Sequence, residues 1–277
     1  MLRSRRIGFW LLGLCVWSPF TAAQTPATLP RPAHIVVVME ENHSYSEIIG
    51  SSSAPYINLL ATEGALFTQS YAIGHPSQPN YLAIFSGSTQ GITDDSCPHT
   101  FSTASLESEL LAANRTFNGF SEGLPSVGSL VCTSGEYARK HVPWTDFSLD
   151  NPSDNQPFTS FPSDFTKLPL VSFVIPDLLD DMHDGTVAQG DTWLQDNLSE
   201  YASWAMSNNS LLIVTWDEDD DSSNNQIPTI FVGQMVKAGQ YSETINHYNI
   251  LRTIEQMYRL PRLGKAATAK PITDVWQ

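Results

Sequence analysis

Cysteine is scarce in this chain, with three in 277 residues. There is no C-x-x-C pair and no Cys/His spacing of a zinc site, which excludes a zinc ribbon or finger. Positive charge is scarce too: 14 Lys and Arg stand against 29 Asp and Glu, a net charge of −15. Such a surface does not attract nucleic acid by counterion release, so no nucleic-acid partner is expected. The apolar run Ile7 to Phe20 contains Pro19 and falls short of the ~20 residues that a membrane span needs. No stable membrane anchor is expected. There is no internal repeat and no low-complexity array. An EF-hand is excluded as well: Asp217, Asp219 and Asp221 alternate correctly, but Ser222 stands where the loop needs glycine and Pro228 where it needs its closing acid.

The N-terminus does not read as part of the fold. Arg3, Arg5 and Arg6 precede the apolar run, and Thr21-Ala22-Ala23 offers small residues for cleavage. Residues 1–23 therefore read as a signal peptide, and the protein as secreted or periplasmic. Arg5-Arg6 hints at twin-arginine export. Cys15 follows the bulky Leu14, which argues against lipoprotein processing. Residues 24–277 then form one domain. Taking the three arginines from the chain's 14 basic residues leaves 11 against 29 acidic, a net of −18. A phosphate substrate would need local cations to overcome that field. In an oxidising compartment Cys97 and Cys132 are expected to pair, a closure worth roughly 3–4 kcal/mol; a reduced, buried pair is the alternative.

Gln24 to Pro32 reads as a linker, and the chain beyond it is punctuated by apolar runs. His34 to Met39, Leu170 to Ile175 and Leu211 to Trp216 have the length and β-branching of strands buried on both faces. Each stops in acid: Glu40-Glu41, then Asp177 to Asp184, then Asp217 to Asp221. Helical patterns intervene at 56–64, 105–113, 191–207 and 248–258, and further strands are expected at 65–71, 114–120 and 227–232. Residues 121–166 lack periodicity and read as an excursion over the active face, pinned by Cys97–Cys132. Strands alternating with helices predict an α/β fold of three αβα layers around a mostly parallel sheet. Parallel neighbours bring the three acidic ends to one edge, where open α/β sheets place their ligands.

The segment Gly74-His75-Pro76-Ser77-Gln78-Pro79-Asn80-Tyr81 is the candidate nucleophile mount. Two prolines hold Ser77 in a rigid, exposed turn ahead of a buried element. Asn80 is placed to donate to a developing anion. Oxygen ligands from Glu41, Asn42, Asp217 and Glu218, with Ser77 reaching the same ion, suit a hard cation or zinc. Such an ion would make the serine alkoxide accessible. Asp177 with His183 is acceptable metal-ligand chemistry. Arg139-Lys140-His141 is a compact basic cluster and a candidate phosphate contact. His75 reads as structural or as a support behind the residues that touch the ion.

The ordered strings MEENHSY, GHPSQPNYLAIFSGS, Arg139-Lys140-His141-x-Pro143-Trp144, IPDLLDDMHDG, LLIVTWDEDD, IPTIFVG and NHYNILRTIEQMYRLP resemble the secreted phosphoesterases. These include bacterial acid phosphatases and phospholipases C, within the alkaline-phosphatase-like superfamily. The resemblance covers nearly all of residues 24–277. It implies an alkaline-phosphatase-like three-layer fold and metal-dependent phosphoryl transfer through a phospho-serine. By similarity Ser77 is the nucleophile and Asn80 binds phosphoryl oxygens. Glu41, Asn42, Asp217 and Glu218 match metal ligands. Asp177, His183 and His247 match a second cluster holding a second metal or contacting phosphate. Lys140 and His141 match a substrate-binding cluster that often reads Lys-His-Asn-Pro, with Val142 here in place of asparagine. One or two divalent ions are implied, zinc, calcium or magnesium.

The expected activity is a phosphomonoesterase of acid-phosphatase type acting on small phosphate esters. The chain is shorter than the phospholipase C members, which favours it over the alternative on the same fold, a phospholipase C or phosphodiesterase. A metal-independent serine esterase using Ser77 with His183 or His247, and a non-catalytic metal-binding module, are the readings from other classes.

Overall fold

The computed structural model describes Met1, Leu2 and residues 28–277. Apart from Met1 and Leu2, the expected signal peptide, with Cys15 and the arginine pair, lies outside the described residues. Among the described residues, no helix is long and apolar enough to cross a membrane.

Eight strands form the central sheet: β1 (His34–Glu40), β2 (Ala65–Phe67), β3 (Phe117–Ser121), β4 (Asn155–Pro157), β5 (Val171–Ile175), β6 (Ser210–Trp216), β7 (Thr229–Gly233) and β8 (Gly239–Tyr241). Their spatial order is β8-β2-β7-β6-β1-β5-β3-β4. β1 lies between β5 and β6 and is parallel to both, with Val37 opposite Phe173 on one side and Ile213 on the other. β3 continues the parallel set beside β5, and β4 beside β3. The three acid-tipped strands are thus neighbours and end at one edge.

The helices are α1 (Tyr45–Ile48), α2 (Pro55–Glu63), α3 (Ser77–Ser86), α4 (Leu106–Ala112), α5 (Val187–Ala205) and α6 (His247–Tyr258). Strand alternation sends Ile35, Val37 and Met39 into a core shared with α3, α4 and α6. Val36 and Val38 enter a second core with α2 and α5. Two apolar layers on one doubly buried sheet make the three-layer αβα arrangement. Cys97 and Cys132 are disulfide-bonded, with Cα atoms 5.9 Å apart.

The sheet is mostly parallel, as expected; β7 is the strand that runs antiparallel to its neighbours β6 and β2. Two expectations need correction. The excursion contributes β4 to the sheet edge, a strand too short and polar to show a pattern. Ser77 lies in no exposed turn: it is the first residue of α3 and is 2 % exposed.

Candidate active site

All ten residues of α3 are buried. Pro76 occupies its N-cap with extended backbone, and Pro79 sits in the first turn, where its missing N–H leaves no hydrogen bond unmade. The two prolines therefore start the helix and place Ser77 at its N-terminus. Three buried carboxylates meet it there. Ser77 Oγ donates to Glu41 Oε2 at 3.1 Å and lies 3.5 Å from Glu218 Oε1. Asp217 is the third. Glu41 also accepts from the Tyr81 hydroxyl, one helical turn along α3. The strand ends are tied together by their backbones: Asp217 N–H donates to Glu40 O at 3.0 Å and Glu41 N–H to Asp181 O at 2.8 Å.

Burial holds Glu41, Asp217 and Glu218 above the usual carboxylate range, and Asp217 pushes both glutamates further. The cluster resists carrying all its charges at once. Its spare valences point the same way. Asn42 Oδ1 and Asp217 Oδ2 are buried without a hydrogen-bond partner, as are His141 Nε2 and Asp181 Oδ2. Asn42 takes a left-handed turn, φ 44°, directly after Glu41, and its N–H donates to Asp217 Oδ1 at 3.3 Å. Buried oxygen donors, excess negative charge and orphaned acceptors are the donor set that a hard divalent cation or zinc satisfies. Glu41, His141 and His183 also bring one ligand atom each within 4.8 Å of one another.

Asn80, expected to face substrate, is largely engaged. Its Oδ1 accepts from Ile73 N–H at 2.9 Å and Gly74 N–H at 3.2 Å. Its Nδ2 donates to Gly74 O at 2.7 Å and to Glu218 Oε2 at 3.2 Å. It fastens the 73–76 loop to the acid cluster. His247 starts α6; its Nε2 bonds the Asp217 carbonyl at 2.7 Å, and its buried Nδ1 has no hydrogen-bond partner. Burial pushes its pKa down to about 4, so the ring is neutral. Asp177 does not hydrogen-bond Ser77 or its acids. Its Oδ1 turns back to the N–H groups of Leu179 and Asp180, and it groups with Glu122 and Asp180. Lys140 Nζ reaches the site rim, 3.0 Å from Asp95 Oδ2 and 3.4 Å from His183 Nε2. Buried His141 stacks on the Tyr81 ring at 4.9 Å and lies 3.3 Å from Glu41 Oε1. Arg139 of the same cluster is structural, paired with Asp146 at 3.0 Å.

Asp95, Asp181 and Tyr81 escaped the sequence, and His75, expected as structural or as a support, takes the supporting place. His75 places Nδ1 3.1 Å from Glu218 Oε2 and Nε2 3.2 Å from Asp219 Oδ1. Asp95 accepts from Gln78 N–H at 3.0 Å as well as from Lys140, and Asp181 faces His141 Nδ1 at 3.5 Å. Tyr81 is the one with a visible signal, since it lies four residues after Ser77 on a helix.

A serine esterase needs a histidine on its nucleophile. Among the described residues none is hydrogen-bonded to Ser77, whose partners are carboxylates. The chain does contain one G-x-S-x-G string, Gly119 to Gly123. Its Ser121 ends β3, buried and with no hydrogen-bond partner. No nucleophile–base pair stands there either.

Comparisons with known proteins bear on the family and the fold. The Phosphoesterase family profile matches residues 50–261. A phosphatidylinositol-3-phosphatase of Mycobacterium tuberculosis is 56 % identical over 253 residues, 90 % of this chain and 85 % of that protein. An acid phosphatase of Aspergillus fumigatus is 28 % identical over 81 % of this chain, which spans only 54 % of that protein. In structure, a member of the alkaline phosphatase superfamily from Vibrio parahaemolyticus superposes with a TM-score of 0.61 at 14 % identity, over 89 % of this chain and 72 % of that one. A phosphonate monoester hydrolase from Silicibacter pomeroyi gives 0.60 at 10 % identity, over 87 % and 76 %. At such identities the structural likeness establishes the fold. The chain belongs to the Phosphoesterase family and is a hydrolase of phosphate esters.

Proposed function

We propose that the chain is an exported, metal-dependent phosphomonoesterase in which Ser77 carries the phosphoryl group. The observation that carries this reading is the placement of Ser77: a buried hydroxyl at a helix N-terminus, 3.1 Å from a carboxylate able to take its proton. Glu41 Oε2 accepts that proton as Ser77 Oγ bonds to phosphorus in line and the ester P–O bond breaks, the leaving alkoxide taking a proton from solvent. Water then attacks phosphorus, the Ser77–phosphorus bond breaks, and phosphate leaves as Ser77 Oγ regains its proton from Glu41. The positive end of the α3 dipole favours the oxyanion that develops. Glu41, Asn42, Asp217 and Glu218 are the residues to hold a divalent cation; when bound, it supplies the positive charge that neutralises these acids and lowers the serine pKa. Tyr81 fixes the Glu41 carboxylate, with the His141 ring beside it, and Asn80 with His75 fixes Glu218. Lys140 and His183 at the rim offer cationic and hydrogen-bonding groups to the non-bridging phosphoryl oxygens.

A phosphate monoester on an inositol lipid headgroup is the substrate class favoured by the 56 %-identical relative's name. Ser77→Ala is expected to lower turnover of an aryl phosphate by roughly 10³-fold or more, with no phosphoprotein trapped on acid quench. Full turnover by that variant sinks the reading. A panel of an aryl phosphate, a diaryl phosphate, phosphatidylinositol 3-phosphate vesicles and phosphatidylcholine vesicles separates monoesterase from diesterase and phospholipase C. Faster diester or phosphatidylcholine cleavage overturns the monoester assignment.

A further inference from the structure

Strand alternation splits the paired glutamates at the end of β1. Glu41 turns to the α3 face and the Ser77 cluster. Glu40 follows Val36 and Val38 onto the opposite face, under α5. Glu122 reaches the same face from the end of β3, following Phe120, whose ring lies in the core that also holds Trp193 of α5. The loop after β5 adds Asp177 and Asp180. One carboxylate oxygen from each of Glu122, Asp177 and Asp180 lies within 4.8 Å of the others.

An acidic cluster alone is common on surfaces. This one has a buried acid behind it. Glu40 is fully buried and neither of its carboxylate oxygens has a hydrogen-bond partner. Among the described residues no Lys, Arg or His forms a salt bridge with Glu40, Glu122, Asp177 or Asp180. Glu40 therefore sets an unpartnered buried carboxyl on the same face of the sheet as these three carboxylates, where a cation would satisfy oxygens that the protein leaves unbonded. We infer that Glu122, Asp177 and Asp180, backed by Glu40, bind a second hard divalent cation of calcium type on the α5 face of the sheet. The donors are all carboxylate oxygens, the set that Ca²⁺ prefers, with no nitrogen or sulfur.

The position gives the ion a task. Asp177 and Asp180 lie on the loop that also carries Asp181, which faces His141, and His183, which faces Lys140. Asp177 already organises this loop through the N–H groups of Leu179 and Asp180, and Glu122 accepts from Asp177 N–H at 3.1 Å. A cation here anchors the loop from behind the sheet and so positions two residues of the phosphoryl site without touching substrate.

Isothermal titration of metal-free protein with CaCl₂ tests this, using a Glu41→Gln/Asp217→Asn background that disables the Ser77 cluster. That chain is expected to bind one equivalent of Ca²⁺, and Glu122→Gln or Asp180→Asn added to it to weaken binding by about tenfold or more. In the otherwise wild-type chain Glu122→Gln is expected to remove one equivalent while leaving the other. Circular dichroism checks that each isosteric variant is folded. No Ca²⁺ binding by the background chain, or titrations unchanged by Glu122→Gln and Asp180→Asn, overturns the inference whatever the fate of the phosphatase reading.

Discussion

Asn80 shows how much of a catalytic site is support. Its amide satisfies two backbone N–H groups of the 73–76 loop and donates back to that loop and to Glu218. Asn80→Ala leaves these groups without their partner at a cost of about 1–3 kcal/mol for a buried unsatisfied group. The expected result is a lower denaturant midpoint with an unchanged m-value, together with reduced kcat, because Glu218 loses a partner that orients it. Stability equal to wild type removes the supporting role. Asn80 is legible as a site residue from its nearness to Ser77, but its task is not, since that depends on where a loop folds back. The partners of His75 are hidden for a related reason: Glu218 and Asp219 lie in a different segment and meet it only after the sheet is assembled.

At the scale of elements the sequence is most informative about strands buried on both faces. β1, β5 and β6 read as apolar runs because both sides of each strand are covered, and they stop sharply where the chain leaves the sheet. Those stops mark the edge carrying the acids. They do not say which face each acid takes. Glu40 and Glu41 are adjacent in sequence and lie on opposite faces. Asp177 and Asp181 belong to a loop with no period, so the prominent first acid goes elsewhere and Asp181 enters the site. Close packing can be tested at β3. A Cβ on Gly119 would overlap the Trp144 ring, and that indole is itself held by Asn155 through Nε1 at 2.9 Å. Gly119→Ala therefore overpacks the core between β3 and the excursion, with an expected loss of about 1–3 kcal/mol in a urea melt. A neutral substitution would show that the indole moves aside freely.

Across the whole molecule, acid is buried as well as exposed. Apart from the Ser77 cluster, Glu107 and Asp150 meet beneath the N-terminus of α4, where Ser105 Oγ donates to Asp150 Oδ1 at 2.5 Å and Asn151 N–H to Glu107 Oε1 at 2.7 Å. Burial pushes Asp150 up to about 7; burial and then Asp150 push Glu107 up to about 9. These folded-state values lie above the ordinary 3.8 and 4.5, so the folded chain holds protons that the unfolded chain has released. The sign follows from linkage. The contribution of this pair is complete below pH ~4 and is lost as pH rises, through 7 for Asp150 and towards 9 for Glu107. A loss of about 2 kcal/mol lowers Tm by roughly 4–8 °C in a chain of this size. Thermal melts between pH 5 and pH 9 should therefore show Tm falling with pH at constant divalent-cation concentration, which keeps the Ser77 acids from dominating the slope. Asp150→Asn with Glu107→Gln removes both titrations while keeping the side-chain shapes. The double variant should give a flatter curve that approaches or crosses the wild type at alkaline pH. A slope unchanged by the double variant would locate the pH response elsewhere in the acidic chain, whereas a flatter one ties the stability of an acid-rich phosphoesterase at low pH to protons kept on carboxyls that take no part in the Ser77 cluster.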